Sequence, residues 1–103
     1  MGNADQLYKE LVQIINQTVG RQAVTEQTLR QLMEEAREVK NTRGTMGLLQ
    51  FSKSVSERLF TPAEREKLEN SPYRKEYGSR IIDLMVAERI VTPIQGMWMK
   101  QSL

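Results

Sequence analysis

No alternating run of strand type precedes residue 90 of this chain; its apolar residues return every three or four positions instead. Leu7, Leu11, Ile14 and Ile15 fall at i, i+4, i+7 and i+8, one stripe of a 3.6-residue helix. Asn3 is placed to cap that helix and Gly20 to end it. Thr25 is placed to cap a second helix with Leu29, Leu32, Met33, Ala36 and Val39 on its apolar side. The charged residues between them, Arg30 to Glu38, form a solvated face with i,i+3 and i,i+4 pairing. Asn41, Gly44 and Gly47 then interrupt the pattern. A third helix is predicted from Thr45 or Met46 to Phe60, carrying Leu48, Phe51, Val55 and Leu59. Its apolar surface is the broadest in the chain, which predicts a place at the centre of the core.

The strongest local signal is Thr61-Pro62-Ala63-Glu64. A Thr cap, a Pro at the first helical position and a Glu at the third combine a capping box with the favoured proline site. A short charged helix should run from there to Asn70-Ser71. A fifth should span about Pro72 or Tyr73 to Arg89, with Tyr77, Ile81, Leu84 and Met85 inward. After Arg89 the pattern changes: Ile90-Val91-Thr92 and Met97-Trp98-Met99 are short apolar runs separated by Pro93 to Gly96, a spacing that fits a β-hairpin. The expected architecture is therefore all-α, a bundle of four to five helices, with a C-terminal hairpin as an added element. Within one domain spanning 1–103, residues 1–43 read as a helical hairpin and 44–103 as a helical subdomain carrying the wing.

Composition narrows the chemistry. Among 103 residues there is no cysteine and no histidine, which removes thiolate nucleophiles, disulfides, zinc sites with sulfur or imidazole ligands, and the usual neutral-pH acid–base group. So short a helical chain has little room to build a catalytic pocket from carboxylates or lysines. The expectation is a non-enzymatic protein with no cofactor and no small-molecule substrate. No apolar run reaches membrane-spanning length, and MGNADQLYKE lacks the regions of a secretory signal; a cytoplasmic protein is expected. Net charge is +2, and the cations are spread evenly, eight Lys/Arg against seven Asp/Glu in residues 1–60 and seven against six in 61–103. Nothing in that balance demands nucleic acid.

Two functional readings follow. In the first, this is a small regulatory or adaptor protein that acts through protein–protein contacts or self-association. Its partner-binding residues would be Leu49, Phe60, Met97, Trp98 and Met99, because three large apolar residues in a row near the C-terminus are unusual on a solvated tail and Trp and Met favour interfaces. In the second, the order of the last three helices and the hairpin is that of a winged helix-turn-helix bound to DNA. Tyr73, Arg74, Lys75, Ser79 and Arg80 would then face the major groove, and Lys100 the backbone. Glu76 and Asp83 among those contacts would repel phosphates. Two weaker motifs point to plain structure: Thr42 to Gly47 lacks the ending of a phosphate loop, and Glu34, Glu35 and Glu38 are not spaced like a calcium loop.

Overall fold

The Gly44 peptide, with φ 70° and ψ −162°, lies in a region that only glycine enters readily, and it decides the topology. A computed structural model describes residues 3–103, and the chain forms five helices: α1 (Asn3–Val19), α2 (Glu26–Leu59), α3 (Pro62–Asn70), α4 (Arg74–Ala87) and α5 (Pro93–Gln101). α2 is broken at Gly44 into two arms. Arg58 reaches Glu35 across 23 positions at 3.4 Å, whereas a straight helix would set them about 34 Å apart, so the second arm folds back on the first. The interruption expected over residues 41–47 is thus narrowed to one residue, with helix continuing on both sides. Gly47 permits the tight return: a Cβ there would lie 2.4 Å from the Arg43 Cβ.

The caps follow the sequence closely. Thr25 accepts from the Thr28 amide at 3.1 Å. Thr61 and Glu64 complete their reciprocal box, at 3.2 and 3.0 Å. The capping expectation for Asn3 rests on a side chain that lies outside the described residues. The turn after α1 is held by Asn16, whose Oδ1 accepts from the Ala23 and Val24 amides at 2.8 and 3.0 Å while its Nδ2 donates to the Val24 carbonyl at 2.9 Å. Three partly buried backbone groups that no helix serves are bonded by one side chain.

The core lies between α1 and α4, which pack most extensively. Tyr8, Leu11 and Leu84 are wholly inaccessible. The second arm of α2 contributes one buried side chain, Leu48, and lays Phe51, Val55, Leu59 and Phe60 along the side of the cluster. It flanks the core and is not its centre, because its apolar residues spread too widely around the helix for one neighbour to cover. On α1 the buried stripe is Tyr8, Leu11, Ile15 and Val19, with Leu7 only partly covered. Tyr8 can turn inward because its hydroxyl donates to Glu88 at 2.6 Å. The Arg30 guanidinium stacks 4.2 Å from the Tyr8 ring. Burial and the Glu88 carboxylate push the Tyr8 phenol above its usual pKa. A radius of gyration of 12.9 Å matches a compact chain of this length, about 13 Å.

The expected hairpin does not form: residues 93–101 are helical and there is no strand among the described residues. The reason is local. Thr92-Pro93-Ile94-Gln95 is a second capping box, with Thr92 accepting from the Gln95 amide at 3.1 Å and Gln95 Oε1 accepting from the Thr92 amide at 2.9 Å. Pro93 again takes the first turn. The chain therefore ends in a helix, without a wing, and no helix of the described residues is long and apolar enough to cross a membrane.

Candidate interaction surface

α5 sits on α4 through its smallest residue. A Cβ on Gly96 would lie 2.7 Å from Val86 Cγ2 and 3.4 Å from Ile82 Cγ2, so these two α4 side chains seat directly on the α5 backbone. Farther along, Leu103 packs against Gly78, 3.0 Å from where a Cβ would stand, and Met99 joins the core cluster. Lys100 bridges to Asp83 at 2.5 Å. The pairing of 96 with 82 and 86, and of 103 with 78, makes α4 and α5 antiparallel.

With Gly96, Met99 and Leu103 facing the core, helical spacing turns Ile94, Met97 and Trp98 outward at i, i+3 and i+4. They are 61%, 54% and 66% exposed. Three of the six large apolar residues left in water among the described residues thus form one row on a nine-residue helix. Met46 and Leu49, also exposed, are three apart on the second arm of α2.

At the start of α5 lies an open groove of about 520 Å³, between the end of the first arm of α2 and the α4–α5 turn. Lys40, Asn41, Arg89, Thr92, Pro93 and Gln95 are among its walls, and no wall residue is acidic. Arg89 has φ 60°. It occupies the left-handed position of a Schellman ending, with the Ile90 amide on Met85 O at 2.8 Å and the Arg89 amide on Val86 O at 3.0 Å. Glycine ordinarily fills that position, because a side chain there costs roughly 1 kcal/mol. The preceding residue is held firmly: Glu88 takes the Tyr8 hydroxyl on its carboxylate and Arg37 Nη2 on its carbonyl at 2.8 Å. Ile90 and Val91 behind it are buried.

The residues singled out in sequence separate clearly. Leu49, Met97 and Trp98 are exposed, whereas Phe60 and Met99 are packed against the core. Of the six read against DNA, Tyr73, Arg74 and Lys75 are exposed at the start of α4. Ser79 is half-buried, and Arg80 is tied to Glu10 and Glu76. Lys100 belongs to the Asp83 pair. Glu34 and Glu35 face Arg37 and Arg58, and no metal-holding cluster occurs among the described residues. Sequence reasoning missed Ile94, Lys40 and Arg89. The signal that would have found Ile94 is the Thr92 box: once 93–101 is helical, residues 94, 97 and 98 must share a face.

No protein-family model, curated protein or solved structure matches the chain.

Proposed function

We propose that this is a non-enzymatic regulatory or adaptor protein that works by protein–protein contact, docking a partner on the outward face of α5. The observation that carries this reading is the Ile94, Met97 and Trp98 row, three large apolar side chains kept in water by a helix whose inner face is already occupied. Covering each would contribute about 1.5–3 kcal/mol, and a tryptophan flanked by a flexible methionine is the composition of an interface anchor. Leu49, with Met46, offers a second apolar edge. Self-association through the same row is the other form such contact can take.

Favouring a protein partner over duplex DNA, Arg80 and Lys100 already hold carboxylates. Reaching phosphates would require them to break those ion pairs. The test is a comparison of Trp98→Ala and Ile94→Ala with Tyr73→Ala. Partner retention and light-scattering mass are measured on each, with duplex DNA titrated at two salt concentrations. Loss of partner or of oligomer with the α5 variants alone supports the reading. An unchanged partner set and a strict monomer for all three variants, or salt-sensitive DNA binding that Trp98→Ala leaves intact, would contradict it.

A further inference from the structure

We infer that the partner of the α5 face is an amphipathic helical segment whose acidic side chains are gathered at one end of its apolar row, where Lys40 and Arg89 receive them in the groove at the start of α5. This rests on the reading of α5 as a docking face and names what docks there. The groove and the row are continuous: Pro93 and Gln95 line the groove, and Ile94 between them begins the row.

The charge distribution points to an acidic occupant. Six cations, Arg21, Arg30, Arg37, Arg58, Arg80 and Lys100, each hold a carboxylate. The other nine make no ion pair among the described residues, and of these Lys40 and Arg89 alone share a groove without a single carboxylate on its walls. The positive end of the α5 dipole adds to their field. At the other end of the row Lys100 is neutralised by Asp83, so the field is polarised along the helix. A second copy docked with the two α5 starts together fits poorly, because it would bring Lys40 and Arg89 against themselves. A phosphate lattice would leave Ile94 and Met97 in water, whereas an amphipathic helix covers them and supplies the anion in one element.

Arg89 also gives the inference a signature that misfolding cannot mimic. Its left-handed backbone opposes folding, so Arg89→Gly should raise the melting temperature while it weakens the acidic partner. Strain retained where charge is needed is a common pattern at binding sites.

The experiment pans a displayed library of helical peptides, with a fixed apolar row at i, i+3, i+4 and i+7 and randomised flanks, on the full chain. Recovered peptides are titrated against Trp98 emission. Expected are peptides with Asp or Glu concentrated at one end. Their affinity should fall roughly tenfold on combined Lys40→Glu and Arg89→Glu, and should recover when the peptide's acids are changed to Lys. Binders without that bias, or insensitive to the charge reversal, would overturn the acidic-partner inference while the α5 reading stands. Recovery of no peptide that shifts Trp98 would overturn both. Two other outcomes would replace the acidic helix: a dimer by light scattering that Trp98→Ala dissolves, or duplex DNA bound through Lys40 and Arg89 with the peptides ineffective.

Discussion

α1 and α5 are both amphipathic helices laid against α4, and they present opposite sides of the same design. α1 turns its bulk inward: Tyr8 and Leu11 are sealed, with Ile15 and Val19 beside them. α5 turns most of its bulk outward, offering the core Gly96 and Met99 and the solvent Ile94, Met97 and Trp98. Apolar residues facing water are a loss unless something covers them. The comparison shows that helical periodicity identifies a face but not its direction. Direction is set by which side can approach a neighbour closely, and at α5 the backbone at Gly96 does so.

The first way to break the contrast is at the sealed side. Leu11→Ala should destabilise the whole chain by about 3–5 kcal/mol, the range for a fully buried leucine, read by denaturant unfolding. A cost under about 1 kcal/mol would mean the α1–α4 seam is not the centre of stability. Next, Gly96→Leu drives a side chain into Val86. Its overpacking cost of about 1–3 kcal/mol exceeds the helix-propensity gain of about 1 kcal/mol, so α5 should loosen. Amide exchange should then rise in residues 93–101 before it rises in α1.

A smaller effect comes from acid. The Arg21 guanidinium, at 2.5 and 2.9 Å, and the Thr61 amide hold the Glu64 carboxyl down to about 2, from an ordinary value near 4.5. A depressed folded-state pKa stabilises above the unfolded value and is lost as pH falls. The melting temperature should therefore decline between about pH 4.5 and 2, and Glu64→Gln should remove that part of the slope. The smallest effect is the most telling. Trp98→Ala should change stability by less than about 0.5 kcal/mol, as for a surface site, although it deletes the largest side chain in the protein.

Much of the helical frame was legible because its signals are local. Thr25, Thr61 and the punctuation at Gly44 each act within one turn of chain. The same reasoning misplaced the C-terminus, where Val-Thr next to Met-Trp-Met reads as strand by propensity, yet Thr92-Pro93-Ile94-Gln95 repeats the logic of Thr61-Pro62-Ala63-Glu64. A cap with two reciprocal hydrogen bonds outweighs the weak preferences of the residues that follow. Tyr8 was missed for another reason: only a carboxylate 80 positions away makes its burial acceptable. Of the expected partner residues, Leu49, Met97 and Trp98 are exposed and Phe60 and Met99 are packed inward; Met97 and Met99 part because a helix divides nearby residues around its circumference, whereas a strand would have put both on one face. Lys40 and Arg89 converge because the first arm of α2 lies beside the Schellman turn, where Arg37 reaches the Glu88 carbonyl, and no sequence window contains both.

The most direct measurement is the emission of Trp98, the single tryptophan of the chain, as a recovered acid-ended amphipathic peptide is titrated into the intact protein. We expect a water-like spectrum in the free chain and a saturable blue shift on binding, both with the melting temperature of the free chain unaltered by Met97→Ala. A spectrum already blue without peptide, or one unmoved by every peptide offered, would contradict the account.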